Sequence, residues 1–91
     1  MSDEEGFALP ITGELDLHAF APRDVPSVVE EYLLACRERG ILQVRVVHGR
    51  GKGVQRALVR RLLAQLEGVA SFREAPPDAG GWGATIVELE E

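Results

Sequence analysis

The chain has 91 residues, 45% of them apolar and 27% charged, the balance of one small globular domain. No run approaches the roughly 18–20 apolar residues of a membrane span, and the N-terminus lacks the basic start and apolar stretch of a signal peptide. Cys36 is the single cysteine, so an internal disulfide and an all-cysteine metal site are excluded, and the expectation is a cytoplasmic protein without membrane contact.

Met1–Gly6 and Glu88–Glu91 are acidic, and both ends are expected to fray. Residues 1–12 read as a flexible acidic segment and 13–91 as the folded domain. Glu14–Leu17 reads as a short strand. Alternation puts Asp16 and His18 on one face and Leu15 and Leu17 on the other. Ala19–Arg23 is a connection. A helix is expected from about Val25 to Arg39, with Asp24 as its cap and Pro26 tolerated in its first turn. Val25, Val28, Val29, Tyr32, Leu33 and Cys36 form one apolar stripe, which makes Cys36 a core residue. Gly40 is the natural stop.

Ile41–Val47 is the second strand. His48-Gly49-Arg50-Gly51-Lys52-Gly53 follows, and then a second helix from Gly53 or Val54 to Glu67, with Val54, Ala57, Leu58, Leu62 and Leu66 facing the core. Val69–Glu74 is the third strand. Pro76, Pro77, Gly80 and Gly81 make a loop, and the fourth strand begins at Ala84. The expected fold is α/β: a two-layer sandwich of order β-α-β-α-β-β, with two helices on a four-stranded, mostly parallel but mixed sheet whose last strand is an antiparallel edge.

The net charge of -5 argues against nucleic acid until its distribution is considered. Eight of the ten basic residues lie between Arg37 and Arg61, and that span holds a single acid, Glu38. A solvated polar face is one reading of these arginines. The other starts from Gly49, Gly51 and Gly53. A strand, a glycine-rich turn and a helix start leave backbone N–H groups free to face a phosphate, and Arg50 and Lys52 add positive charge there. The spacing matches neither the dinucleotide fingerprint nor the Walker A loop. Arg56 and Arg60, one turn apart, extend a possible phosphate track.

Parallel first and second strands would end at the same sheet edge, where ligands sit in open sheets. His18 and Asp16 leave one strand there, and His48 and the glycine loop leave the other. Gly80–Gly83 would come to the same edge. Histidine moves protons near neutral pH. Asp16 can orient an imidazole, hold a divalent cation, or simply bond loop amides. Two histidines and an aspartate can hold zinc, although no spacing supports it. Neither histidine has a serine beside it, which argues against a serine-type hydrolase. Trp82 either stacks on a base or caps the core.

With these residues in view, the chain resembles the Smr (small MutS-related) domain family, as a stand-alone domain. Leu15-Asp16-Leu17-His18 matches the family's LDLH motif. His48-Gly49-Arg50-Gly51-Lys52-Gly53 matches HGxGxG, and Gly80-Gly81-Trp82-Gly83-Ala84-Thr85 matches GGxG(x)T. Ala19 stands where the family has glycine. The resemblance implies a fold like the C-terminal domain of a bacterial translation initiation factor. It implies nicking of DNA or cleavage of RNA, in some members with a divalent metal (Mg²⁺ or Mn²⁺) and in others without. It assigns activity to Asp16, His18 and His48, and the conserved loop to Gly49, Gly51 and Gly53. Combined with the residue reading, the expected activity is phosphodiester hydrolysis. Asp16, His18 and His48 carry the acid–base work, and Asp16 is the one candidate metal ligand. Gly49, Arg50, Gly51, Lys52, Gly53, Arg56, Arg60, Gly81, Trp82 and Gly83 hold DNA or RNA. The alternative is a DNA- or RNA-binding module without catalysis. The sequence leaves open the choice of DNA or RNA, the oligomeric state and any MutS-related partner.

Overall fold

The computed structural model describes residues 10–51 and 53–91. The acidic segment expected over 1–12 falls mostly outside that range, and Lys52 lies outside it as well. The elements follow the expected order: β1 (Glu14–Asp16), α1 (Val25–Glu38), β2 (Gln43–Val47), α2 (Val54–Leu63), β3 (Val69–Glu74) and β4 (Ala84–Leu89), with short 3₁₀ turns before α1 and around the loop before β4. No helix among the described residues is long and apolar enough to cross a membrane.

The sheet is mixed, in the order β1-β2-β4-β3. β1 pairs parallel with β2, while β4 runs antiparallel to both β2 and β3. Three strands therefore point the same way and β4 points back between two of them. The expected antiparallel strand is present, but it is central and not an edge. Its sequence explains why: Ala84, Thr85, Ile86, Val87 and Leu89 are all buried, and a strand covered on both faces needs a nearly unbroken apolar run. The edge on that side is β3, which is largely exposed.

Both helices cover one face. Leu15, Leu17, Val44, Val46, Val87 and Leu89 from the sheet side pack against Val25, Val29, Tyr32, Leu33, Cys36, Val59 and Leu63. Cys36 is a core residue as expected, and burial pushes its thiol pKa up, away from reactivity. The α1 stripe is as read, but Asp24 makes no side-chain cap: its backbone is already helical, because the 3₁₀ turn Pro22–Asp24 feeds straight into α1. Ser27 Oγ bonds the Asp24 carbonyl at 3.2 Å instead.

Helix α2 is shorter than expected and rotated. Val59 and Leu63 are its buried residues, Leu58, Leu62 and Leu66 pack at the margin, and Val54 is 73% exposed. The adjacent apolar pairs Leu58–Val59 and Leu62–Leu63 make two stripes equally good by spacing, and the sheet takes the later member of each. The rotation turns Ala57 outward.

Two devices fix the ends. The Tyr32 hydroxyl accepts from the amides of Thr12 (3.2 Å) and Gly13 (3.1 Å) and donates to the Glu14 carbonyl (2.9 Å), anchoring the approach to β1. At the C-terminus, Glu90 N–H donates to the Gly68 carbonyl at 2.8 Å, and Arg37 Nε donates to the Glu90 carbonyl at 2.9 Å.

Candidate active site

Register brings the predicted residues together. Asp16 lies opposite Val47, Val47 opposite Ala84, and Thr85 opposite Glu74. The carboxyl ends of β1, β2 and β3 and the start of β4 therefore share one edge of the sheet, and all three sequence motifs arrive there.

The chain leaves β1 one residue earlier than expected because Asp16 caps the turn that follows. Its Oδ1 accepts from the His18 backbone N–H at 2.9 Å and lies 2.7 Å from His18 Nδ1. These contacts, the His18 amide first, hold the Asp16 carboxyl below the usual carboxylate range. An ionised carboxylate only accepts, so Nδ1 carries a proton toward Asp16, and in the neutral ring the lone pair is on Nε2. The imidazole is 67% exposed. Ala19 closes this 3₁₀ turn, a conformation open to any residue, so the missing family glycine costs nothing here.

His18 Nε2 rests against Gly49. A Cβ built on Gly49 would lie 2.8 Å from that nitrogen, and the glycine has φ +84°. Gly49 is thus bare for two reasons, its backbone and its neighbour. The two residues border two hollows. One, of about 530 Å³, is lined by Pro10, Thr12, Glu14, Asp16, His18 and Ala19. The other, of about 260 Å³, is lined by His48, Gly49, Gly51, Gly53 and the first turn of α2. The second lies where the anion seat is expected from the sequence.

Its amides are only partly free. The His48 and Gly49 N–H groups both donate to the Gly83 carbonyl, at 3.0 and 2.9 Å. Among the described residues, Gly51, Gly53 and the start of α2 line the rest of this hollow. That helix carries no side-chain cap, and Gly53 precedes it at φ +82°. Arg50 lies along the opposite loop. Its Cγ sits where a Gly83 side chain would be, and its guanidinium reaches the Gly80 carbonyl at 3.4 Å. Gly81 and Gly83 therefore serve as a floor for Arg50.

Trp82 sits 38% exposed, its ring edge against Gly53 and the Arg56 guanidinium 4.9 Å from its ring centre. Arg56 also reaches Glu74 at 3.4 Å. Arg56 and Arg60 are half-buried and lie close enough to His48 to act on its charge. Their Nε atoms and Gln55 Oε1 are buried without a hydrogen-bond partner among the described residues.

His48 differs from His18. It is 5% exposed; Nε2 lies 2.9 Å from Thr85 Oγ1 and Nδ1 lies 3.1 Å from the Gly49 carbonyl. A carbonyl only accepts, which assigns the ring proton to Nδ1 and makes Thr85 the donor to Nε2. Burial, with a contribution from the Arg56 and Arg60 charges, pushes its pKa below the ordinary value. A depressed histidine pKa means the unfolded chain takes up the proton first. Stability is therefore full above about pH 6.5 and falls as pH drops through that value toward the folded-state pKa. Thermal melts between about pH 7.5 and 5 should show this loss, and His48→Gln should flatten it.

Thr85 and Arg45 were not among the residues singled out from sequence. Thr85 ends the third motif but lies in an apolar run that reads as plain strand. Arg45 alternates onto the open sheet face, where it pairs with Glu14 and donates to the Ala79 carbonyl at 2.9 Å, tying the Pro77–Ala79 turn to β1. No group of three His, Cys, Asp or Glu side chains assembles among the described residues. Asp16 Oδ1 is also committed to His18. A metal held by protein ligands alone does not fit this donor set.

The Smr domain family matches residues 15–90. The Endonuclease MutS2 of Thermus thermophilus is 36% identical over 76 residues, and that of Geobacillus kaustophilus 39% identical over 77. These segments cover 84% and 85% of this chain but about a tenth of each relative. The crystal structure of the Smr domain of Thermus thermophilus MutS2 superposes with a TM-score of 0.82 at 34% identity, covering 88% of this chain and all of that one. YdaL, a stand-alone small MutS-related protein from Escherichia coli, superposes at 0.81 with 25% identity, covering 87% of this chain and 65% of its own. With three motifs converging on one sheet edge, a matching fold and a family match over nearly its whole length, this chain belongs to the Smr domain family.

Proposed function

We propose that the chain hydrolyses phosphodiester bonds in DNA or RNA at the exit of β1 and β2. The observation that carries this reading is the Asp16–His18 pair, 2.7 Å apart, with His18 Nε2 set against the bare α-carbon of Gly49 beside an uncapped helix start. A backbone phosphate seats on the Gly51–Gly53 turn and the first amides of α2, with Arg50 swinging in from the Gly80–Gly83 loop. His18 Nε2 takes a proton from the attacking water, or from a 2′-hydroxyl in RNA, while Asp16 steadies the imidazolium that forms. The new P–O bond displaces the leaving oxygen, which takes its proton from solvent across the open groove. His48, with both ring nitrogens engaged, holds the loop. Arg56 and Trp82 together offer a flat cationic wall for an unpaired base. The names of the MutS2 relatives support an endonuclease, although this chain spans a tenth of their length.

A divalent ion bound to substrate phosphate can draw on the second oxygen of Asp16, but no step requires it. The test incubates supercoiled plasmid and a structured RNA with the purified chain in Mg²⁺, Mn²⁺ or EDTA. New nicks or strand breaks that vanish in Asp16→Ala are expected. Binding without any break, at concentrations that saturate the nucleic acid, would replace this reading with a binding module. Because guanidinium groups such as Arg50 supply the phosphate contacts, affinity should fall with salt.

A further inference from the structure

Thr85 is fully buried on the central strand, between Ala84 and Ile86 in an otherwise apolar run. Valine has the same shape and would suit the core better, so the hydroxyl needs a reason. Its partner is His48 Nε2 at 2.9 Å. We propose that Thr85 is a positioning residue that sets the environment of His18 through His48 and Gly49. The inference rests on the reading that His18 is the base.

The linkage is short. Thr85 donates to Nε2, which leaves the Nδ1 proton for the Gly49 carbonyl. The ring is therefore fastened at both nitrogens, and the group it fastens belongs to Gly49. The N–H of Gly49 is held by Gly83, two residues before Thr85. The loop leading into β4 thus holds the Gly49 N–H directly, and β4 holds its carbonyl through the His48 ring. Gly49 is the surface on which His18 Nε2 rests. Without the hydroxyl, Nε2 of the 5% exposed His48 ring loses its donor, and the ring must turn or the loop must open. Either change moves the Gly49 α-carbon and releases His18.

The experiment uses the full chain, labelled with ¹⁵N, with Thr85→Val and Thr85→Ser compared at one pH. Ring-nitrogen spectra of the wild type should show His48 protonated at Nδ1 and bare at Nε2. Thr85→Val should shift both His48 ring signals, the Gly49 amide and His18 Nε2, and Thr85→Ser should restore them. In cleavage assays Thr85→Val should lower kcat about tenfold or more with KM within about twofold, and Thr85→Ser should recover it. A folded Thr85→Val whose Gly49 and His18 signals coincide with wild type would overturn the proposal. So would a wild-type His48 protonated at Nε2, a result that needs no variant to fold. If the wild type cleaves nothing, the hydrolytic reading fails, and the His18 and Gly49 shifts still decide the role of Thr85.

Discussion

Replacing His18 with alanine should lower kcat/KM for strand cleavage by about 10²–10⁴-fold, the usual contribution of a positioned general base. The fold should hardly register the change. The imidazole is 67% exposed, and surface substitutions away from buried networks stay within about 0.5 kcal/mol. The separation of the two effects is the informative part. A core histidine would lose stability and activity together; an exposed base held by one carboxylate loses activity alone. Asp16→Asn should fall between wild type and His18→Ala, because the amide oxygen can still accept from the His18 amide while the charge that favours the imidazolium is gone. Single-turnover cleavage rates and melting temperatures on the same preparations measure both quantities.

Gly49→Ala should come next in size, with cleavage down about 10²-fold. Two penalties combine. At φ +84° an L side chain is strained by about 1–2 kcal/mol. The new methyl group would also sit 2.8 Å from His18 Nε2, a distance that real carbon atoms do not tolerate, so His18 must move. Gly40→Ala separates the two. Gly40 has φ +75° with nothing within 4 Å of an added Cβ, so it carries the backbone strain without the clash. Gly40→Ala should therefore lose stability to a similar degree and keep its cleavage rate. Equal loss of rate in both variants would mean that the contact with His18 carries no weight.

Much of this site could be read before any coordinates. Leu15 and Leu17 on one side and Asp16 and His18 on the other follow from strand alternation. The glycines after Val47 marked the turn where a helix begins. What the residues could not give was the depth of each histidine. His18 and His48 look alike in sequence, each at the end of a strand. Only the register that lays Val46 against Thr85 shows that His48 is enclosed and His18 open. That register depends on β4 entering the middle of the sheet, and a connection as long as Ala75–Gly83 allows an edge position equally well. The helix face was lost for a different reason. With Leu58–Val59 and Leu62–Leu63 both available, period alone cannot choose a stripe. Half-burying two arginines beside His48 departs from an apolar stripe, which is where reading by hydrophobic pattern is expected to fail.

The most direct measurement is a crystal structure of the chain with a short oligonucleotide whose non-bridging phosphate oxygens are replaced by sulfur to slow cleavage. The account predicts one phosphate within hydrogen-bonding distance of His18 Nε2, resting on the Gly51–Gly53 turn and the start of α2. A phosphate seated elsewhere, with His18 facing empty solvent and the glycine turn unoccupied, would contradict it.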